Sequence, residues 1–265
     1  MNKIAILAAA AALTACTATQ PKVLVLYYSQ TGATRTVAER FAAELGADIE
    51  AFDLEQPYDG DFQETIDRCL SERENCFLPA IKPISSDIAD YDIIFLGFPV
   101  WFGTCATPVQ SLLKEMNFQG KTIVPFCTFG SGGLESSSDD LHTLMPEAEV
   151  LAGYGVRNAR VSKAPEEISR FLIESGFKEG EVEALPEFSE IRNINAEDLM
   201  IFEQACGSYQ MPLGSPLTVA ERPVANGTEY LFDCLSQDME GNTVRMKIYV
   251  VSIAGEDPEF TKVVR

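Results

Sequence analysis

Three short stretches of this sequence carry residues able to hold a ligand. The first is Ser29-Gln30-Thr31-Gly32-Ala33-Thr34, directly after the apolar run Val23-Leu24-Val25-Leu26. Hydroxyls and a glycine between a buried strand and a helix gather donors around one point, and a helix N-terminus there favours an anion. No lysine follows in the Gly-Lys-Ser/Thr manner, which excludes a nucleoside triphosphate loop. Neutral donors suit a single terminal phosphate. The second stretch, Gly97-Phe98-Pro99-Val100-Trp101-Phe102-Gly103-Thr104, holds the only tryptophan of the chain just past an apolar strand. An aromatic at that place can lie against a flat heteroaromatic ring. The third, Cys127-Thr128-Phe129-Gly130-Ser131-Gly132-Gly133-Leu134, is rich in glycine and permits close backbone approach to a ligand. Glu135 stands where a Gly-x-Gly-x-x-Gly fingerprint needs its last glycine, so a dinucleotide loop is disfavoured. Taken singly, each stretch has a plainer account: a capped helix after a hydroxyl-rich turn, a rim aromatic, a glycine turn.

The elements around these stretches place them together. Apolar runs at 23–28, 49–54, 92–98, 121–127 and 149–152 predict strands. Helical spacing at 33–45, with Val37, Phe41 and Leu45 on one face and Gly46 as its stop, predicts the first helix. Further helices are predicted over 62–69, within a polar excursion from Gln56 to Pro83, and over 108–116, 134–144 and 165–175. Five strands with interleaved helices predict a doubly wound α/β domain over residues 22–180. In such sheets ligands sit at the carboxyl ends of the strands near the switch in strand order, where all three stretches fall. From Pro186 the pattern changes to a helix at 196–206 and strands at 217–223, 229–236 and 244–252, with turns at Asn226-Gly227 and Gly241-Asn242. This predicts a second, smaller α+β unit over 186–265.

The first stretch resembles the phosphate loop of flavodoxins, Ser/Thr-x-Thr-Gly-x-Thr, matching it at Ser29, Thr31, Gly32 and Thr34. The second is similar to the segment with which flavodoxin-like proteins flank an isoalloxazine ring. The third is similar to their other flavin loop, with Phe129 replacing the usual small residue. The resemblance covers about residues 22–175 and implies a flavodoxin-like five-stranded parallel sheet with FMN as cofactor. It implies cofactor contacts from Ser29, Gln30, Thr31, Gly32, Ala33 and Thr34, from Pro99, Val100, Trp101, Phe102 and Gly103, and from Thr128, Phe129, Gly130, Gly132 and Gly133. The C-terminal unit resembles the cystatin layout of a helix followed by a tyrosine-bearing strand. It lacks the free arm and the tryptophan hairpin through which that family inhibits proteases, so a docking or structural role is expected.

Met1-Asn2-Lys3 followed by an apolar run to Leu13 reads as a leader too short to span a bilayer. Leu13-Thr14-Ala15-Cys16 resembles the lipobox of bacterial lipoproteins, implying a leader over 1–16, lipid on Cys16, a tether over 17–21 and a place at the cell envelope. The other reading is an ordinary secretory leader cut near Ala15 or Ala18. Export permits disulfides, and the expected pairs are Cys69 with Cys76 and Cys206 with Cys234. With one histidine, His142, and no Cys-x-x-Cys, a Cys/His zinc site is disfavoured and no metal is expected.

The charge of −20 disfavours binding to a nucleic-acid backbone and leaves the lipid anchor as the only membrane contact expected. No Gly-x-Ser-x-Gly occurs, which disfavours serine hydrolase chemistry. Three functions remain: an FMN electron carrier whose donor and acceptor the sequence does not name, an FMN-dependent NAD(P)H or quinone reductase, and a binding module with an empty flavin site. Electron transfer through a flavin needs no protein acid or base, which agrees with the scarcity of histidine.

Overall fold

The structure, a computed structural model, describes residues 20–130, 133–207, 209, 213–237 and 241–264. The leader 1–16 with Cys16, tether residues 17–19, and Ser131 and Gly132 of the third stretch lie outside the described residues.

The first half builds from β1 (Val23–Tyr27), α1 (Ala33–Leu45), β2 (Asp48–Ala51), α2 (Phe62–Glu74), β3 (Ile93–Trp101), β4 (Thr104–Cys105), α3 (Thr107–Glu115), β5 (Thr122–Phe129), α4 (Leu134–Leu144), β6 (Glu149–Val150), β7 (Tyr154–Arg157) and α5 (Ala164–Glu174). The parallel strands run in the order β2-β1-β3-β5-β6, with β7 continuing beside β5. The central strands read as unbroken apolar runs because both faces are covered. On one face Val25, Phe95 and Phe126 pack with Val37 and Phe41 of α1 and Ile168 and Leu172 of α5. On the other, Leu24, Leu26, Ile94, Leu96 and Phe98 pack with Leu112 of α3 and Leu141 of α4. The chain winds outward in both directions from β1 and β3, so the loops after these two strands border the crevice at the switch in order.

The fifth strand is longer than expected and broken. Ile123 pairs with Val150, but Phe126 pairs with Tyr154, so one extra residue lies between the two ladders. Pro125 has no N–H for the ladder, and a Cβ on Gly153 would sit 2.1 Å from the Pro125 carbonyl oxygen. The chain therefore bulges at Gly153 before pairing again toward Arg157. Helix α2 also outruns its expectation, ending at Glu74 rather than Cys69.

The second half comprises β8 (Arg192–Asn193), α6 (Ala196–Cys206), β9 (Ser215–Val224), β10 (Gly227–Gln237), β11 (Thr243–Ile253) and β12 (Glu259–Val264). These strands form a separate antiparallel sheet in the order β12-β11-β10-β9-β8. Helix α6 lies across it, Phe202 meeting Phe232 at 5.1 Å between ring centroids. The first hairpin turns at Ala225-Asn226, one residue earlier than expected, with Asn226 at φ 60°. Gly227 already belongs to β10, where a Cβ would meet the Ser252 carbonyl oxygen at 2.0 Å.

Neither expected disulfide is present: Cys69, Cys76, Cys206 and Cys234 are all thiols. Cys69 faces the core, whereas Cys76 is exposed beyond the end of α2, so the two sit in opposite surroundings. Cys206 and Cys234 do share one core, but as small apolar fillers. Burial pushes both thiols up to about 12. Under native conditions at pH 8, iodoacetamide should label Cys76 and spare Cys206 and Cys234. The mass of the unreduced, denatured protein after alkylation should count both as free; a retained pair would restore the disulfide. A second prediction concerns Asp198, whose carboxyl lies below the usual range because Arg192 donates to it at 2.5 and 2.9 Å. A depressed folded-state value stabilises above the unfolded value and is lost as pH falls through the folded one. The stability gap between the parent and Asp198→Asn should therefore be full at pH 7 and close as pH falls from about 4 downward.

Candidate functional site

The first stretch leaves the end of β1 and enters α1 through Gly32, at φ 94°, a left-handed conformation that favours glycine. Ser29 Oγ accepts from the amides of Gly32 and Arg35, both at 3.2 Å, and so ties the loop to the helix start while keeping its own proton to donate. Helix geometry leaves the amides of Ala33 and Thr34 without intrahelical acceptors, at the positive end of the helix dipole. Thr31 is exposed on the cleft. Gln30 is held at both ends, accepting from Tyr28 Oη at 2.6 Å and donating to the Tyr58 carbonyl at 2.7 Å. Buried Thr34 shares a 2.9 Å hydrogen bond with Thr128 Oγ1, which joins the first stretch to the end of β5.

The second stretch is a tight hairpin rather than a loop. Trp101 pairs with Thr104 across Phe102 and Gly103, which take φ 53° and 81°. Half-buried Trp101 stands at 90° to both Tyr28 and Tyr58, with centroids 6.1 and 5.2 Å away. Phe102 is exposed, with the Arg73 guanidinium 5.1 Å from its ring centre. In the third stretch Thr128 and Phe129 still belong to β5, and Phe129 is buried.

Gln30, Thr31, Thr34, Pro99, Val100, Trp101, Phe102, Gly103, Thr128, Phe129, Gly130 and Gly133 all line one large cleft, which continues past Arg160 and along Arg222 and Lys262 of the second sheet. Ser29, Gly32 and Ala33 are not among its lining residues, and the Ser29–Gly32 hydrogen bond shapes the loop beside it. Helix α2 adds Phe62, Ile66, Leu70 and Arg73 to the cleft wall.

Sequence reasoning missed the group beneath this wall. The buried Glu72 carboxylate accepts from Tyr58 Oη at 2.6 Å, Thr107 Oγ1 at 2.9 Å and Arg68 Nε at 2.9 Å. Arg68 also donates to the carbonyls of Gln56 and Pro57, its guanidinium 4.0 Å from the centre of the Tyr58 ring. Burial first, and the bond to Glu72 second, hold the Tyr58 hydroxyl far above its usual range. Burial likewise raises Tyr28, so both phenols stay neutral donors. The neighbouring Cys69 thiol is pushed up to about 11 by burial and the nearby Glu72. One sequence signal existed, the Asp61-x-x-Glu64 capping box that opens α2, formed here in both directions.

Residues 22–171 match the family model for Flavodoxin. The chain belongs to the flavodoxin family. A curated relative, the NAD(P)H dehydrogenase (quinone) of Paracoccus denitrificans (strain Pd 1222), is 29% identical over 137 residues, which cover 46% of this chain and 62% of that protein. The chain thus spans less than two thirds of that relative's length. A solved structure from Bacteroides uniformis ATCC 8492 matches 57% of the chain and 99% of its own, with 25% identity and a TM-score of 0.51. A flavoprotein in complex with FMN from Lactobacillus acidophilus NCFM matches 54% of this chain and 98% of its own, with 28% identity and a TM-score of 0.47.

The Thr34–Thr128 contact gives this site a stability test independent of any ligand. Thr34→Val leaves the Thr128 hydroxyl buried without its partner and should cost about 1–3 kcal/mol in urea unfolding. The double variant Thr34→Val with Thr128→Val should recover part of that loss, because replacing both partners removes the stranded donor. Strictly additive losses would deny the hydrogen bond.

Proposed function

We propose that this flavodoxin-family protein holds FMN in the cleft and carries electrons between redox partners. The observation that carries the reading is the meeting of three separate stretches at the carboxyl end of one parallel sheet. Their chemistry fits the group. The amides of Ala33 and Thr34 with the Thr31 hydroxyl would hold a phosphate through neutral donors, Trp101 would border the ring system, and Gly130 and Gly133 would let main chain approach it. When bound, FMN supplies the redox chemistry. The chain's part is to bind and orient it and to keep water from one side. Formation of a tight hairpin by Phe102 and Gly103 fixes Trp101 on a strand rather than a free loop, which favours orientation.

A second reading, an FMN-dependent reductase, draws on the name of the Paracoccus relative and on the apolar wall of Phe62, Ile66 and Leu70 beside Trp101. The carrier is preferred because the chain has 20 basic against 40 acidic residues, an unfavourable field for a dinucleotide's phosphates. We further place the protein at the cell envelope through lipid on Cys16, on the strength of the lipobox resemblance.

The purified protein should be yellow and release FMN on denaturation, and it should bind riboflavin far more weakly than FMN. Thr31→Ala should weaken FMN binding by about 1–3 kcal/mol. Equal affinity for riboflavin and FMN would defeat the phosphate assignment. Flavin bleaching within seconds of anaerobic mixing with NADPH would replace the carrier by the reductase.

A further inference from the structure

Tyr58 touches two of the three cleft stretches at once. Its carbonyl receives Gln30 Nε2 at 2.7 Å, and its ring stands 5.2 Å from the ring of Trp101. Its own position is fixed from below. Glu72 accepts from its hydroxyl and from the Thr107 hydroxyl, the two hydroxyl oxygens lying 2.9 Å apart, and Arg68 stacks on the ring while bonding Glu72 and the carbonyls just before Tyr58. Thr107 opens α3, the helix that follows the Trp101 hairpin. The cluster therefore grips the excursion between Gln56 and Glu72, the first stretch and the end of the second together. A buried carboxylate is costly unless its oxygens are satisfied; here three donors from two helices and a loop satisfy it, so moving any of them strands the others.

We infer that Tyr58, held by Glu72 and Arg68, is the positioning residue of the cleft, setting the Trp101 ring against the ring end of the ligand and the Gln30 stretch against its phosphate end. The inference deepens the FMN reading and rests on it for the ligand, but the positioning of Trp101 stands independently. The buried carboxylate beneath the cleft wall fixes the directions of its donors, which an apolar filler of similar volume would not do.

Trp101 is the only tryptophan of the chain, so its fluorescence reports its surroundings in the ligand-free protein. In full-length Glu72→Ala and Tyr58→Leu, emission should move to longer wavelength and acrylamide quenching should rise. FMN binding should loosen about three- to tenfold, and the midpoint potential of the bound flavin should shift. Glu72→Gln keeps an acceptor for the two hydroxyls and should restore most of the parent's spectrum and affinity. If Glu72→Ala does not fold, Tyr58→Phe, which keeps the ring and loses only the hydroxyl, should show a smaller shift in the same direction. Variants that unfold at lower temperature while Trp101 emission, FMN affinity and potential stay at parental values would overturn the inference, leaving the cluster as packing alone. A changed Trp101 spectrum with unaltered FMN affinity and potential would overturn it too. If the parent itself binds no flavin, the FMN reading fails, and the Trp101 spectra alone then decide whether Tyr58 positions that ring.

Discussion

A Cβ on Gly97 would lie 2.2 Å from Phe126 Cζ and 2.8 Å from Tyr27 Cβ, so β3 can run between β1 and β5 at this level only as bare backbone. The space goes to the Phe126 ring, which reaches Phe41 of α1 at 4.9 Å between centroids. Phe41 in turn meets Phe95, Tyr154 and Phe171, so the seating of α1 depends on one aromatic cluster centred on its own ring. That seating aims the first amides of α1 at the cleft and brings Thr34 within hydrogen-bond reach of Thr128. A side chain at position 97 would displace the Phe126 ring that Phe41 packs against.

Elements that obey one simple period were legible in the sequence. Helices at 33–45, 134–144 and 196–206 have the expected limits because Gly46, Gly133 and Asn195 mark ends that apolar spacing already predicted. The three cleft stretches were legible because hydroxyls, a lone tryptophan and clustered glycines stand out directly after apolar strands. Helix α2 was only half legible. Its buried residues are Cys69 and Glu72, and a buried carboxylate looks like a solvated one until its partners Tyr58, Arg68 and Thr107 come together from distant positions. The break in the fifth strand depends on the contact of Gly153 with Pro125, a tertiary fact with no local signature. Strands β8 and β12 were missed for a related reason: edge strands need neither strong alternation nor long apolar runs.

The Ser29 hydroxyl holds its own loop as well as matching the motif. Its Oγ accepts from two amides of its own loop, and its proton is still there to donate. A loop that must present main-chain N–H groups to an anion needs its own shape held first, and a short side chain at its start does this. Gln30 follows the same logic, spending both ends on Tyr28 and Tyr58. The donors this loop can offer an anion, its main-chain amides and the Ser29 and Thr31 hydroxyls, carry no net charge.

That economy of charge extends to the seam with the second sheet. Arg157 donates to the Phe260 carbonyl at 2.9 Å, and its guanidinium lies 4.4 Å from the centre of the Phe260 ring. Arg160 bridges Glu167 and Glu259, and Lys163 bridges Glu256 and Glu259. Arg160 and Lys163 thus meet carboxylates of α5, of β12 and of the turn before it, while Arg157 meets only a carbonyl and a ring of β12. The ladder between β5 and β7 sets Arg157 opposite Phe129, directly beside the third cleft stretch. Burial lowers the Arg157 guanidinium from its ordinary value, the cost of placing a cation at that join. One hydrogen bond and one ring contact from Arg157 thereby join the end of β5, beside the cleft wall of Thr128 and Phe129, to β12.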